Sequence, residues 1–391
     1  MNVTDNHYAH ATPRQVEYLD AIMANNGNVA AAARSLGLVK QTLHNSLKNL
    51  EKRLVTLGES KEYELYRPGG PGMFLSGFSD MRTNAEGKPI WYKFQADKQA
   101  MAQAIQEFVE TAAADLPRID RIECQTKRHL KDKITVLPIG DPHIGLLCWS
   151  KEVGVDWDLS IAQRVFRNVF TRLLSRLPNT QECVLVNTGD FFHADNINSQ
   201  TSRSGHVLDT DGRYGKWLDT GIIVVRMLID ACLRKYKKVT FVNVKGNHDD
   251  ILGAALGTFT DHMYEKQTRL TVMRGESPFQ YVRRGKVLLG FAHGHTCKLS
   301  SLPGKMADDA AELWGQTTYR HWITGHVHHN SWLQFKEHPG CTVETVGIIP
   351  PKDAYAYGGA YGANRTTQGL IFDIAAGSLV ERHIEHVTGA D

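Results

Sequence analysis

The chain has 391 residues, more than one hydrophobic core usually supports, so at least two folding units are expected. Hydrophobic residues make up 42% and charged residues 22%, which excludes a disordered or fibrous chain. A net charge of +3 provides no bulk attraction to nucleic acid, so any basic surface has to be local.

No apolar stretch approaches the ~20 residues of a membrane span. The best run, GIIVVRMLIDACL, is interrupted by Arg226 and Asp230. The cysteines (Cys124, Cys148, Cys183, Cys232, Cys297 and Cys341) show no Cys-x-x-Cys spacing, so neither a zinc finger nor a disulfide framework is expected. The opening segment MNVTDNHYAHATPRQ lacks the apolar centre of a signal peptide. The expectation is a soluble, cytoplasmic protein with no membrane partner and an oligomeric state left open.

From Thr12 the pattern is helical. Thr12 is a cap and Pro13 the first helical residue, after which Val16, Leu19, Ile22 and Met23 recur at helical spacing. Asn26-Gly27-Asn28 breaks that helix, and Asn28 is placed to cap the next, VAAAARSLG. Gly37 closes this short helix before a longer one begins near Lys40, with Leu43, Leu47, Leu50 and Leu54 on one face. A short alanine-rich helix, a glycine turn and a longer helix form the helix-turn-helix pattern. With the second helix of the pair in a major groove, Lys40, Gln41, Thr42, His44 and Asn45 would lie near base edges. Lys48, with Arg34, Lys52 and Arg53, would be available for phosphates. A docking or oligomerisation module with solvated charges has the same shape.

The next segment is less informative. YRPGGPG is a turn-rich break, and Asn84-Ala85-Glu86-Gly87 between FLSGFSDMRT and PIWYKFQ predicts a hairpin. DKQAMAQAIQEFVETAAADL reads as a helix ended by Pro117, and RIDRIECQTKRHLKDK as a basic connector. From Ile134 onward, apolar strands alternate with amphipathic helices. The helix candidates are SIAQRVFRNVFTRLLSRL, WLDTGIIVVRMLIDACLRKY and the region around Ala307–Trp314. Later strands come closer together, as in FQYVRRGKVLLGFAHGH, which predicts an α/β core ending in mostly β structure.

Four short segments set a metal-binding residue directly behind a glycine: Gly140-Asp141, Gly189-Asp190, Gly246-Asn247 and Gly325-His326. Beside them stand His143 in Asp-Pro-His, His248 in Gly-Asn-His-Asp, His293 in His-Gly-His and His328 in Gly-His-Val-His. The apolar runs ITVLPIG, CVLVNTG, VTFVNVKG and KVLLGFA lead into Asp141, Asp190, Asn247 and His293. A strand ending in glycine turns sharply and lets backbone approach closely. Several such ends at one sheet edge would bring carboxylate, amide and imidazole to a common point. Two divalent ions about 3.5–4 Å apart clamp both oxygens of an in-line phosphoryl displacement. One carboxylate has to bridge them, and Asp190, alone behind Gly189, is the natural bridge. Mixed oxygen and imidazole ligands suit Mn, Fe, Zn or Ni better than Ca or a pure Mg site. Mn is the expected ion, with Mg, Fe, Zn or Ni as alternatives.

These segments resemble the calcineurin-like metallophosphoesterase superfamily, whose signature reads Asp-x-His, Gly-Asp, Gly-Asn-His-(Asp/Glu), His, Gly-His-x-His. All five elements occur in that order. The resemblance implies an α/β fold, a four-layer metallophosphoesterase β-sandwich flanked by helices, over residues 134–391. A small all-α helix-turn-helix domain would occupy residues 1–58, and a hairpin and helix connector residues 59–133. One metal would take Asp141, His143, Asp190 and His328, and the other Asp190, Asn247, His293 and His326. His295 is an open alternative to His293. His248 would stand near the phosphate and serve the leaving oxygen, and a metal-activated water would be the nucleophile.

Further likenesses bear on the substrate. TGDFFHADNINS and VKGNHDD resemble elements of the superfamily's double-strand-break repair nucleases, in which the residue matching His193 helps place the substrate phosphate. NGNVAAAARSLGLVKQTLHNSLKNLEKRL resembles the DNA-binding arms of LysR-type and other winged bacterial regulators. A phosphoesterase joined to such an arm looks like bacteriophage-encoded proteins, which would act in the host cytoplasm. The stretch Ala194–Lys216 would line a substrate groove through Arg203 and Arg213, or would be an ordinary Ω-loop. The expected function is thus a dinuclear-metal phosphodiesterase, a DNA nuclease. Its rivals are a phosphomonoesterase on nucleotides or phosphoproteins and a DNA-binding regulator with a non-catalytic phosphoesterase scaffold.

Overall fold

The computed structural model describes residues 3, 5–56, 77–83, 89–95, 109, 118–196, 198–201, 205, 207–275, 277–327, 335–338, 340–359, 365–389 and 391. The chain divides into two compact units, residues 1–101 and 102–391.

The first unit contains α1 (Asp5–His10), α2 (Pro13–Ala24), α3 (Val29–Ser35) and α4 (Lys40–Thr56). Thr12 and Gln15 close a capping box at the start of α2: each side chain accepts the other's backbone amide. Asn28 accepts the amides of Ala30 and Ala31 at the start of α3. Leu43, Leu47, Leu50 and Leu54 of α4 are buried in one cluster with Leu19, Ile22, Ala32 and Ala33. The apolar face of α2 is rotated from its expected position. Met23 is 55% exposed, and Tyr18 lies in the core instead. β1 (Gly77–Thr83) and β2 (Pro89–Gln95) form the antiparallel hairpin, with Gly77 opposite Gln95. The helix expected over residues 97–116 lies outside the described residues, apart from Val109.

The second unit is built on two sheets. The first has six strands in the order β13-β12-β3-β4-β5-β6. They are β3 (Leu130–Ile139), β4 (Thr180–Asn187), β5 (Lys238–Asn243), β6 (Leu270–Met273), β12 (Thr366–Asp373) and β13 (Ser378–His386). The second has five in the order β10-β11-β9-β8-β7. These are β7 (Gln280–Arg284), β8 (Val287–Ala292), β9 (Tyr319–Thr324), β10 (Phe335–His338) and β11 (Cys341–Thr345). Short α5 (Ser150–Val153) and then α6 (Leu159–Arg176) connect β3 to β4, α7 (Tyr214–Lys235) connects β4 to β5, and α8 (Asp250–Met263) connects β5 to β6. Neighbours from β3 to β6 are therefore parallel. In the second sheet, β9 pairs in parallel with both β8 and β11.

Residue alternation assigns each strand face to a layer. On β4, Cys183 and Leu185 join the cluster under α6, α7 and α8, whereas Val184 and Val186 join the cluster between the sheets. Val287, Leu289, Phe291 and Ile323 meet them from the second sheet. On that sheet's outer face, Leu288, Ala292 and Trp322 are buried with Leu302 and Met306 of α9 (Leu302–Asp309), ahead of α10 (Ala311–Gly315) and α11 (Ala354–Gly358). The result is four layers, helix, sheet, sheet and helix.

The sandwich interior also holds charge. Glu182 of β4 accepts Arg284 of β7, and Glu344 of β11 accepts Arg382 of β13, Gln368 of β12 and His321 of β9. Both networks tie one sheet to the other. Among the described residues, no helix is long and apolar enough to cross a membrane.

Candidate metal centre

Parallel strands share a direction, so their carboxyl ends open on one edge, where ligands gather in open α/β sheets. β3 ends at Ile139, before Gly140-Asp141, and β4 at Asn187, before Thr188-Gly189-Asp190. β5 ends at Asn243, ahead of Gly246-Asn247-His248; β8 runs into His293; β9 runs into Gly325-His326.

Where these strand ends of the two sheets meet, the ligand types converge. Asp141, His143 and Asp190 form one group whose ligand atoms lie within 4.8 Å of one another, and Asp190, His293 and His326 form another. Asp190 belongs to both, as a bridge requires. Nε2 of His293 lies 3.1 Å from Oδ2 of Asp190 and 3.0 Å from Oδ1 of Asn247. The backbone amide of His326 donates to Asp141 at 2.7 Å, and that of His248 to Asp190 at 2.9 Å. His328 and Arg203 lie outside the described residues.

Glycine precedes these ligands because the loops touch. A Cβ on Gly246 would stand 1.8 Å from Oδ1 of Asp190, and one on Gly325 would stand 2.2 Å from Oδ1 of Asp141. The candidate ligands themselves take the left-handed conformation that most side chains avoid, with φ of 34° at Asp141, 43° at His143, 50° at Asp190 and 69° at His326. Such strain concentrates at functional sites and persists because the surrounding structure over-determines it.

The donor set fits divalent cations. Nδ1 of His293 donates to the Thr188 carbonyl at 3.0 Å, which orients the ring and turns Nε2 toward Asp190. Burial opposes charge on this imidazole, but the carboxylates of Asp190 and Asp141 prevail and raise its pKa to about 9. Burial likewise disfavours the Asp190 carboxylate, yet His293, His248 and His143 hold it well below the ordinary range. A proton on His293 therefore occupies the position of a positive charge, and a cation bound there must displace it. Titrating metal-free protein with Mn near pH 7.5 should release about one proton per ion bound at this position. Apparent affinity should rise with pH up to about 9, because protonated His293 competes with the ion below that value. Calorimetry in buffers of different ionisation enthalpy measures the release; proton-neutral binding would contradict it.

His143, His193 and His248 form a third group of possible ligands, the first two of them buried. Nδ1 of His193 lies 3.4 Å from Nδ1 of His143, and the His193 ring stacks on His248 with centroids 5.7 Å apart. Nδ1 of His248 faces the carbonyl of His193 at 2.8 Å and must donate to it, because a carbonyl has no proton to give. Nε2 of His248 is left 3.9 Å from Oδ2 of Asp190. His295 stands beside the His293 ring, with centroids 5.2 Å apart.

The remaining expected residues are elsewhere. Lys40, Gln41, Thr42, His44, Asn45 and Lys48 are all exposed on α4, and Gln41 donates to Asn45 at 2.9 Å. Arg213 is exposed directly before α7, outside the ligand groups. Sequence reasoning passed over Asp249 and Asp195. Both are buried beside the site, and burial together with the carboxylates of Asp190 and Asp195 pushes Asp249 up to about 8. The doubled acid in GNHDD was the signal for Asp249, and Asp195 stands in TGDFFHADNINS, five residues past Asp190.

The two-sheet sandwich, with its ligand types at the carboxyl ends of parallel strands, agrees with the four-layer α/β fold that the sequence resemblance implied. The chain matches no family model and no curated protein. Solved structures align with it at low identity. A predicted phosphoesterase from Streptococcus pneumoniae shares 11% identity, covering 64% of this chain and 98% of its own, with a TM-score of 0.27. A double mutant of Vps29 from Entamoeba histolytica shares 16%, over 64% and 98%, at 0.28. A phosphatase from Mycoplasma pneumoniae shares 9%, over 65% and 94%, at 0.31. Scores this low add nothing to the strand order and ligand positions of the chain itself.

Proposed function

We propose that the chain is a dinuclear-metal-dependent phosphodiesterase that cleaves DNA, with Mn as its working ion. The observation that carries this reading is the convergence of Asp141, His143, Asp190, Asn247, His293 and His326 where strand ends of both sheets meet, with Asp190 common to the two groups that contain carboxylates. Asp141, His143 and Asp190 would hold one ion, and Asp190, Asn247, His293 and His326 the other. Two bound cations would neutralise the phosphoryl oxygens and acidify the attacking water. His248 would supply the proton for the leaving oxygen from Nε2, its ring held by the bond from Nδ1 to the His193 carbonyl. His193, stacked on His248 and touching His143, would place the phosphate between them.

Two features favour DNA over small esters: His193 at the centre itself, and the exposed Lys40, Gln41, Thr42, His44, Asn45 and Lys48 of α4, which would raise the local concentration of duplex. Purified protein with Mn should cleave labelled DNA and leave a nucleotide and an aryl phosphate largely intact. Release of phosphate from the small esters with DNA untouched would establish a phosphomonoesterase instead.

The arm has a separate readout. In metal-free full-length protein, Lys48→Ala should weaken DNA binding about equally across sequences and reduce the slope of log affinity against log salt by about 1. Gln41→Ala should change sequence preference instead. Mobility shifts at several salt concentrations measure both, and a slope that Lys48→Ala leaves unaltered would count against phosphate contacts.

A further inference from the structure

Asp249 stands immediately before α8, where an aspartate ordinarily caps its own helix through amides two and three residues on. Here the side chain turns back. Its Oδ1 accepts the Gly246 amide at 3.0 Å, and its Oδ2 accepts the Phe192 amide at 3.1 Å. The vacated helix amides belong to another residue: Ile251 and Leu252 donate to Asp195 at 2.9 and 2.8 Å. Phe192 and Asp195 lie on the loop that carries Asp190, whereas Gly246, Ile251 and Leu252 flank Asn247 and His248. Each aspartate thus reaches from its own loop into the other.

Between these two clasps lie the bonds from the His248 amide to Asp190 and from His248 Nδ1 to the His193 carbonyl. Apart from the bond from Gly246 to Asp249, which lies within one loop, all of them span the same pair of loops. A bridging carboxylate has little tolerance, since productive sites hold their groups within about 0.5 Å. Asp190 also sits at φ 50°, a conformation that its surroundings have to enforce.

We propose that Asp249, with Asp195 as its counterpart, is a positioning residue that holds the bridging Asp190 in register with Asn247 and His248. It rests on the reading of this cluster as a two-cation centre. An aspartate serving only the fold would stabilise the metal-free protein and leave ion affinity and ion–ion coupling alone.

The test compares full-length wild type, Asp249→Ala, Asp249→Asn and Glu344→Ala, by calorimetric titration with Mn and by electron paramagnetic resonance of the loaded forms. Asp249→Ala should bind Mn about 10–100-fold more weakly. It should also replace the exchange-coupled signal of a Mn pair with that of isolated ions. Asp249→Asn keeps one acceptor oxygen and should lose less. Glu344→Ala loosens the sandwich through a different network and should keep wild-type affinity. Wild-type affinity and a coupled spectrum in both Asp249 variants overturn the proposal; should the alanine form not fold, the asparagine form decides. A wild-type protein that takes up no coupled Mn pair sinks the two-cation reading itself.

Discussion

Asp190→Ala should reduce phosphodiesterase turnover by more than about 100-fold, and the bound Mn should fall from two ions to one. Outer partners of metal ligands already cost about 10–100-fold when removed, and a shared ligand costs more. Asp190 is the one carboxylate common to both ligand groups, and it also accepts the His248 amide. Its loss therefore disturbs both ions and the proposed proton donor. A linked effect separates this from simple misfolding. Without the Asp190 charge and hydrogen bond, burial is opposed only by Asp141 and the Thr188 carbonyl, so the His293 pKa should fall from about 9 and the proton release on metal binding should shrink. Metal analysis, turnover on labelled DNA and calorimetry on the same sample read all three. A folded Asp190→Ala protein that retained two ions and wild-type turnover would remove the basis of the centre.

The clustering of candidate ligand types was legible in sequence because each follows a local rule. An apolar run, a glycine and a carboxylate, amide or imidazole need no knowledge of the partner strand. The helices α2, α3 and α4 were legible for the same reason, through Thr12, Asn28 and the leucine spacing from Leu43 to Leu54. What failed was non-local. Pairing of β12 with β3, more than two hundred residues apart, leaves no local signature, so sheet order stayed hidden. Glu344 lies in the alternating run CTVET, where a charge reads as solvent-facing, yet it is buried because the other sheet supplies Gln368 and Arg382. Asp249 is a helix cap by position, but its carboxylate reaches the amide of Phe192 on another loop. Short α1 carries too few residues for a periodic pattern.

Glu344→Ala should destabilise the sandwich by about 3–5 kcal/mol, because it removes one side of a buried charge network and leaves the other uncompensated. The Glu344 carboxylate accepts His321 Nε2 at 2.8 Å, Gln368 Nε2 at 2.7 Å and Arg382 Nη2 at 3.0 Å. Burial disfavours its charge, but His321 and Arg382 outweigh burial and lower its pKa from 4.5 to about 2. A depressed carboxyl stabilises the fold fully above its unfolded value. That stabilisation, on the order of 3 kcal/mol, fades as pH falls from about 4.5 to about 2. Glu344→Gln keeps the shape without the charge, so it should be less stable than wild type at pH 7 and lose less on acidification. Urea unfolding of both proteins at pH 7 and pH 3 measures the difference. Parallel losses in the two would mean that the acid sensitivity of the fold arises from other carboxylates, such as Asp391 beside Arg172.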